Sequence, residues 1–389
     1  MIDYKTWGAE GIDEKSHAQM RDACALPVAR AAALMADAHL GYGVPIGAVL
    51  GLEDALCPGA VGVDIGCQVH MTIYGVEAGV IDRCFETLRD ALRGHTYFGV
   101  GANSGGRFDH EVMHEWLWDA LPILKEHKEN AKLQLGSSGG GNHFAEWGII
   151  TVPEDSYLTL SGTRVAPAGD YLALLTHGGS RNTGLRVAEH YCKVAKSQHD
   201  HGDLSWLDFN STEGQEYWEA MNLLGRYAYA NHWLIHNQIT RHIKVDPIYC
   251  IDTMHNFAWL EEHGDRTLFV HRKGATPAAD GELGIIPGSM GTATYVVSGL
   301  GNPDSLCSAS HGAGRKLSRS QAKKTLNFEH EWLRLFEEKG ITVMGGAADE
   351  LPDAYKDIEL VMNAQADLVR KEARFEPRIV LMAGDKGVV

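Results

Sequence analysis

The chain has 389 residues, of which 44% are hydrophobic and 22% are charged, the proportions of an ordinary globular protein. No stretch reaches the ~20 apolar residues of a membrane span, and the start, MIDYKTWGAEGIDEKSH, lacks the regions of a signal peptide, so we expect a cytoplasmic protein with no membrane partner. The formal net charge of 35 − 51 = −16 repels polyanions, so a nucleic acid would need a local basic cleft.

Periodicity along the chain predicts both helices and strands. Helices are predicted at 17–37, 110–133, 213–243, 316–339 and 354–372. Strands are predicted at 48–52, 68–76, 143–152, 171–177, 267–272, 292–300 and 378–384. The two do not alternate regularly, which favours an α+β architecture over a doubly wound sheet. Without a repeat or linker, and with glycine-rich segments spread throughout, the chain is predicted to be one large domain, 1–389.

The segment GVDIGC places Asp64 and Cys67 three residues apart between glycines. That spacing can bring a carboxylate and a thiolate onto one metal ion. The alternative is loop chemistry beside a buried cysteine. The seven cysteines are scattered without a CxxC pair, which favours reduced thiols over disulfides.

The segment GSSGGGNHFAEW leads through bare backbone to Asn142, His143 and Glu146. Backbone N–H groups in such a loop can line a phosphate or nucleotide pocket. The segment matches neither GxGxxG nor a GK[ST] phosphate loop. The alternative is a flexible loop before a strand.

Two further turns carry candidate oxyanion groups. In LLTHGGSRNTG, His177 ends an apolar run and Arg181 follows the glycines, where its planar fork could bind two oxygens. In VHRKGAT, three potential cations (271–273) precede a glycine and could contact phosphate. The alternatives are an ordinary strand-end turn and a solvated charged turn.

The segment SHGAGRKLSR places His311 on a glycine-rich backbone beside Arg315, Lys316 and Arg319. Neutral imidazole can attack phosphorus and then leave readily, which needs free space around the ring and cations for the phosphate. By contrast, the helical pairs His110/His114 and His232/His236 lack HExxH chemistry and are expected to be surface or core residues.

Read in order, the motifs MADAHLGYGVPIG, PGAVGVDIGC, GGGNHFAEW, HGGSRNTG, HRKGAT, IPGSMGTATYVVSGLGNP and SASHGAGRKLSR closely resemble the RtcB-type RNA-splicing ligases from about residue 30 onward. The resemblance implies a single large domain in which mixed or antiparallel sheets are surrounded by helices. It also implies a GTP-dependent RNA ligase with two Mn²⁺ ions, which joins RNA 3′-phosphate or 2′,3′-cyclic phosphate ends to 5′-hydroxyl ends, in some cases with an archease-like activator.

Residue by residue, the resemblance implies a catalytic His311 that becomes guanylylated. The implied metal ligands are Asp64, Cys67, His143, His177 and His255, with Cys67 bridging the two ions. The implied nucleotide-binding residues are Asn142, Glu146, Ser289, Thr294, Arg315 and Lys386. Thr294 stands where the family often has serine and keeps a hydroxyl.

The chain departs from the family pattern at two places. Gln68, Val69 and His70 replace the usual Gly-x-Arg after the metal cysteine, and His232 replaces an arginine after Asn231. These changes leave the implied metal ligands intact and favour a paralogue specialised for RNA repair over one that acts on the usual tRNA substrate. The alternatives are a dinuclear metal phosphohydrolase or phosphodiesterase acting on RNA ends, and an inactive RNA-binding paralogue.

Overall fold

A computed structural model describes residues 1–160 and 163–384. The helices are α1 (Glu14–Cys24), α2 (Pro58–Val61), α3 (Val80–Arg83), α4 (Phe85–His95), α5 (Leu117–Ala120), α6 (Pro122–Gln134), α7 (Arg181–Gln198), α8 (Thr212–Ile243), α9 (Arg319–Thr325), α10 (Phe328–Lys339) and α11 (Ile358–Ala364). The strands are β1 (Lys5–Thr6), β2 (Ala29–His39), β3 (Ile46–Leu52), β4 (Ala55–Leu56), β5 (Gln68–Glu77), β6 (Phe144–Leu160), β7 (Thr163–Gly178), β8 (Leu207–Asp208), β9 (Pro247–Met254), β10 (Asn256–His263), β11 (Arg266–Lys273), β12 (Ala275–Pro277), β13 (Leu283–Ile286), β14 (Thr294–Gly299), β15 (Ser308–Ser310), β16 (Thr342–Met344) and β17 (Val369–Met382).

Two mixed sheets organise the molecule. The smaller sheet has the order β1-β2-β3-β11-β10, with β1 parallel to β2. The larger sheet runs β13-β14-β17-β6-β7-β5-β9, with β16 added parallel to β17. Its two edges approach each other, because the backbone N–H of Ile285 donates to Thr253 Oγ1 at 3.0 Å. The nearly closed sheet and its surrounding helices confirm the α+β prediction.

Helix α8 is the longest helix of the described chain and packs against β5 and β7 of the larger sheet. It begins at the cap Ser211, whose hydroxyl accepts a hydrogen bond from Gly214 N–H. It ends where Lys244 adopts a left-handed conformation. No helix among the described residues is both long and apolar enough to cross a membrane.

The predicted strands are confirmed, and the predicted helices are confirmed in part. Each predicted strand run contains or overlaps a strand of the structure, namely β3, β5, β6, β7, β11, β14 and β17. The helix predicted at 213–243 is α8. The helix predicted at 316–339 forms as two helices, α9 and α10, because Asn327 caps a new start at His330 N–H.

Two helix predictions are wrong over half their length. In 17–37, α1 ends at Cys24 and the alanine-rich run that follows is β2. This run is buried against both neighbours in the smaller sheet, so pairing overrides its helical composition. In 354–372, α11 ends at Ala364 and β17 begins five residues later. The predicted helix 110–133 is divided into three pieces: a 3₁₀ turn at Glu111–His114, the one-turn helix α5, and α6, which starts at Pro122.

The cationic run His271, Arg272 and Lys273 is neither a phosphate contact nor a solvated turn, because all three side chains are buried. Arg272 makes a bidentate ion pair with Glu261, at 2.6 and 3.0 Å. Lys273 donates to backbone carbonyls, including that of Gly59 at 3.0 Å. The phosphate-contact hypothesis for this run is therefore wrong, and the run stabilises the smaller sheet and the loops beside it.

Replacing Arg272 by Met should lower the free energy of unfolding by about 3 kcal/mol, because Glu261 loses its buried bidentate partner and keeps only His263, at 2.9 Å. Urea denaturation followed by circular dichroism measures this loss. The matched control is Arg266→Met on the same strand, where the side chain is half exposed, and its effect should stay below about 1 kcal/mol. Equal effects of the two substitutions would contradict a structural role for Arg272.

Candidate active site

The candidate metal ligands come from neighbouring strands of the larger sheet. Asp64 and Cys67 immediately precede β5, His143 immediately precedes β6, and His177 lies near the end of β7. Antiparallel pairing sets His177 of β7 opposite Val69 of β5 and Phe144 of β6. Because β7 lies between β5 and β6, these ends meet at one edge of the sheet.

His255 lies at the junction of the two sheets, as the single residue between β9 of the larger sheet and β10 of the smaller one. Its backbone N–H donates to Cys67 O at 3.0 Å, and its carbonyl accepts from Gly274 N–H at 2.8 Å. The ring of His311, which follows β15, lies with its centroid 5.0 Å from that of His255. The structure therefore brings the predicted ligands and the predicted nucleophile together.

The donor atoms of the five predicted ligands form a continuous chain. Cys67 Sγ lies 3.2 Å from His177 Nε2 and 3.7 Å from His143 Nε2. His143 Nε2 lies 3.0 Å from Asp64 Oδ2, and His177 Nε2 lies 3.2 Å from His255 Nε2. Cys67 thus stands between a group containing Asp64 and His143 and a group containing His177 and His255. Within the described residues, Cys67, His143 and His177 meet the geometric requirements for holding one ion.

Hydrogen bonds from Nδ1 fix the tautomers of His143 and His177 that a metal ion requires. His143 Nδ1 lies 2.8 Å from Ser138 O, and His177 Nδ1 lies 3.0 Å from Asn142 O. A carbonyl can only accept, so each Nδ1 carries a proton, and a neutral ring held in this way has its lone pair on Nε2, which faces Cys67. Metal-binding histidines are held in this way by backbone carbonyls. The residues therefore fit a metal centre.

Burial sets the charges at this centre. It lowers the pKa of His177 and of His255 well below the usual value, so both imidazoles are neutral. Burial and the nearby Asp64 carboxylate raise the pKa of the Cys67 thiol well above its usual value. Burial alone would raise the pKa of Asp64, but His143 outweighs it and keeps that pKa low. A bound divalent cation would deprotonate the thiol.

Asp37 is a candidate functional residue that the sequence motifs by themselves do not identify. Its carboxylate is fully buried in β2, and its Oδ2 lies 2.6 Å from His311 Nδ1 and accepts from Gly312 N–H at 3.3 Å. The Nδ1 proton therefore points to Asp37, and His311 Nε2 has a free lone pair. Asp37 lies within the motif MADAHLGYGVPIG, which contributed to the resemblance, but nothing in sequence places it beside His311.

One cavity of about 930 Å³ joins the metal candidates to the nucleotide candidates. Its wall includes most of the predicted site residues, namely Asp64, Cys67, Asn142, Glu146, His177, His255, Ser289, Thr294, His311 and Arg315. His143 lies just behind this wall, in contact with Asp64. Lys386 lies outside the described residues. The volume is that of a site for a ligand the size of a nucleotide.

The basic run that follows His311 is largely neutralised by two acidic residues. Arg315 donates to Asp349 O at 2.6 Å and lies 3.5 Å from the Glu350 carboxylate. Arg319 pairs with Asp349 at 2.8 Å and also with Glu350. Lys316 is exposed on the cavity wall, and no carboxylate pairs with it among the described residues. The cavity is thus less cationic than the sequence of this run suggests.

Comparison with known proteins decides the family. A family model described as tRNA-splicing ligase RtcB matches residues 19–383. The chain belongs to the RtcB family. Among curated relatives of this family, the RNA-splicing ligase RtcB of Escherichia coli K12 is 31% identical, with 87% of this chain and 86% of the relative covered. The RNA-splicing ligase RtcB of Mycobacterium tuberculosis H37Rv is 32% identical over 92% of this chain and 98% of its own. The tRNA-splicing ligase RtcB of Methanococcus maripaludis is 30% identical over 95% and 91%.

Within this RtcB-family cavity, Glu146 is a carboxyl group that is protonated at neutral pH. It lies on β6 and is only 3% exposed, and burial raises its pKa to about 8. A neutral carboxyl group both donates and accepts hydrogen bonds, so Glu146 can contact a ligand edge that offers both kinds of atom. Well below pH 8, it adds no negative charge to the cavity.

The raised pKa of Glu146 predicts a pH-dependent effect on stability. The unfolded carboxyl group ionises near its ordinary pKa of 4.5 and the folded one near 8, so between these values the folded state holds a proton that the unfolded state has lost. The wild type therefore loses stability as the pH rises from 4.5 to 8. Glu146→Gln removes this loss, and its melting temperature should exceed that of the wild type by several degrees at pH 9 and by little at pH 5.

Thermal denaturation at the two pH values checks this prediction, with the exposed Glu14→Gln as control. The control should shift the melting temperature by the same small amount at pH 5 and pH 9. A Glu146→Gln protein whose advantage does not grow with pH would show that Glu146 is ionised in the folded state.

Proposed function

We propose that this protein is a GTP- and manganese-dependent RNA ligase that acts in RNA repair or tRNA splicing. It joins RNA 3′-phosphate or 2′,3′-cyclic phosphate ends to 5′-hydroxyl ends through a guanylylated His311. The observation that carries the proposal is the His311 ring, bound to a buried carboxylate on one side and open to a cavity beside a metal-binding cluster on the other. The names of the relatives, RNA- and tRNA-splicing ligases, support the same activity.

His311 has the properties of a nucleophile toward phosphorus. Asp37 accepts a hydrogen bond from the Nδ1–H of His311, fixes the tautomer and stabilises the positive charge that develops on the ring as Nε2 attacks. Gly274 leaves room for this ring, since a Cβ there would lie 3.1 Å from His311 Cε1. The backbone of Gly274 also has φ +63°, a conformation that glycine adopts without strain.

Five residues would hold the two Mn²⁺ ions: Asp64 and His143 on one side, His177 and His255 on the other, and Cys67 between them. Bound there, the ions would polarise phosphate groups and stabilise oxygens that attack and leave. Imidazole and thiolate donors also suit zinc, so the choice of manganese rests on the family resemblance. The residues themselves supply an oriented set of donors, in which Asp64 is ionised and the imidazoles of His177 and His255 are neutral.

On a 3′-phosphate end, the proposed reaction is a series of three displacements at phosphorus. A 2′,3′-cyclic phosphate end is first opened by water, whose oxygen bonds to the phosphorus while the P–O2′ bond breaks and the 2′-oxygen takes up a proton. His311 Nε2 forms a bond to the α-phosphorus of GTP while the bond to the β-phosphate oxygen breaks and pyrophosphate leaves. An oxygen of the RNA 3′-phosphate then attacks that phosphorus, the N–P bond breaks and RNA(3′)pp(5′)G forms. Finally, the 5′-hydroxyl oxygen attacks the RNA phosphorus, loses its proton, and GMP leaves with the electrons of the broken P–O bond.

The nucleotide would be held by residues of the cavity wall that also carries the metal ligands. We assign this role to Asn142, Glu146, Ser289, Thr294, Arg315 and Lys386. Thr294 and Glu146 are buried, Asn142 is exposed, and the Ser289 hydroxyl lies 2.9 Å from Thr292 Oγ1. The proposal further includes a single catalytic domain over 1–389, a cytoplasmic location and an archease-like activator as a partner.

Guanylylation of His311 is the decisive test. Purified protein incubated with Mn²⁺ and α-³²P-GTP should carry label after denaturing electrophoresis, because the N–P bond is covalent. His311→Ala should carry none, since no other residue replaces the attacking nitrogen. His330→Ala is the control, because that histidine is exposed on α10 and should leave labelling unchanged.

Two outcomes would count against the ligase. A wild type that binds Mn²⁺ but takes no label would favour the phosphohydrolase reading, in which His311 stabilises charge without accepting a nucleotide. Label that persists in His311→Ala would place the adduct on another residue.

Asp37→Asn should slow guanylylation by about a hundredfold, because the amide can keep the position of the carboxylate but not its charge or its tautomer preference. The rate of label incorporation in a single turnover measures the effect. Asp304→Asn, an exposed aspartate paired with Lys5, is the control and should label at the wild-type rate. Wild-type labelling by Asp37→Asn would show that the carboxylate does not assist His311.

A further inference from the structure

The turn that follows the metal-ligand candidate His177 is held by two consecutive residues of α8. His232 Nε2 lies 3.2 Å from Gly178 O, and Asn231 Nδ2 donates to Gly179 O at 3.1 Å. Both side chains are buried, at 2% exposure each. The backbone carbonyls of this turn are therefore fixed by hydrogen bonds from one point of the helix.

Asn231 also holds the second glycine-rich loop. Its Oδ1 accepts a hydrogen bond from Gly136 N–H at 2.9 Å, at the start of the loop that leads to His143. One amide group thus ties the segment before His143 to the segment after His177. The separation between these segments sets the distance between the two imidazoles, whose centroids lie 5.2 Å apart.

The tautomer of His232 follows from its surroundings. Gly178 O can only accept, so His232 Nε2 carries the proton and Nδ1 accepts from the Thr176 hydroxyl, 2.6 Å away. Thr176 Oγ1 then accepts from His236 Nε2–H at 2.8 Å, and His236 Nδ1 accepts from the Thr72 hydroxyl at 2.7 Å. Every hydrogen bond in this series therefore has a defined donor and acceptor, and the series ends at the carbonyl oxygen of Gly178.

We infer that Asn231 and His232 form a positioning clasp, which sets the spacing of His143 and His177 for metal binding by holding Gly136, Gly178 and Gly179. The clasp residues do not touch the metal, so their effect passes through the backbone that carries the ligands. The inference rests on the metal centre of the proposed function and is independent of GTP and RNA chemistry. Hydrogen bonds that orient metal ligands from behind typically change metal affinity by about 10–100-fold when they are removed.

A core-packing role is the competing explanation, and the structure offers a matched control for it. His236 lies one turn further along α8, is equally buried and bonds two threonine hydroxyls, but it does not touch either glycine-rich loop. Burial lowers the pKa of His232 to about 4 and that of His236 well below its usual value, so both are neutral near pH 7. Substitution of either residue by Leu leaves threonine hydroxyls unpaired and should cost similar stability.

The test measures Co²⁺ binding to the metal-free protein through the absorbance of the thiolate-to-cobalt charge-transfer band. The melting temperature of each variant is measured in parallel. His232→Leu should weaken Co²⁺ binding by about tenfold or more. His236→Leu should lose as much stability but retain Co²⁺ affinity within about threefold. His232→Gln, whose amide can still donate to Gly178 O, should recover most of the affinity lost in His232→Leu.

A second readout needs no metal. ¹⁵N spectra of histidine-labelled metal-free protein at neutral pH should show His232, assigned by its loss in His232→Gln, as a neutral ring protonated on Nε2. Equal Co²⁺ affinities for His232→Leu and His236→Leu, a His232 ring protonated on Nδ1, or a wild type that binds no Co²⁺ would each overturn the clasp. A wild type that binds Co²⁺ with the predicted pattern but takes no label from GTP would overturn only the ligase.

Discussion

The candidate site depends on the point at which the chain passes from strand β9 of the larger sheet to strand β10 of the smaller sheet. His255 is the residue at which the backbone leaves β9 of the larger sheet and enters β10 of the smaller one. Its backbone N–H is bound to Cys67 O on one side and its carbonyl to Gly274 N–H on the other. The larger sheet contributes the candidate metal ligands, and the smaller sheet contributes Asp37. A separate pair of strands, β12 and β15, leads into His311. Nucleophile and metal centre can meet because the sheets meet there.

Burial determines how the groups around this crossing behave. The imidazoles of His177 and His255 are neutral because water is excluded from them. A hydrogen bond to the carbonyl of Asn142 decides which nitrogen of His177 remains free. Asp37, buried beside His311, supplies the compensating charge at the only ring that the proposed reaction would make positive. The same low dielectric keeps Glu146 protonated. Exclusion of water therefore underlies three features of the site: the neutral imidazoles of His177 and His255, the pairing of Asp37 with His311, and the neutral carboxyl group of Glu146.

The sequence predicted the strands, the long helix α8 and the set of residues that meet at the site, because these depend on local periodicity and on ordered motifs. It did not predict the strand at Ala29–His39, since only pairing with β3 makes an alanine-rich run extended. It also assigned no role to Asp37, which lies 274 residues from His311 in the chain. The pairing of Arg315 and Arg319 with Asp349 and Glu350 was missed for the same reason, because it too joins segments that are separate in sequence.

His70 and His232, two of the positions at which the chain departs from the family pattern, are neighbours in the structure. The rings of His70 and His232 lie with their centroids 6.1 Å apart, and both are buried between α8 and the larger sheet. A guanidinium stays charged under all ordinary conditions, whereas a buried imidazole can shed its charge. Arginine at position 232 would place a permanent cation against the neutral rings of His70 and His236, whereas arginine at position 70 would have Asp252 as its cross-strand neighbour. The two positions are therefore physically coupled, and a substitution at one changes the charge and the packing that the other meets.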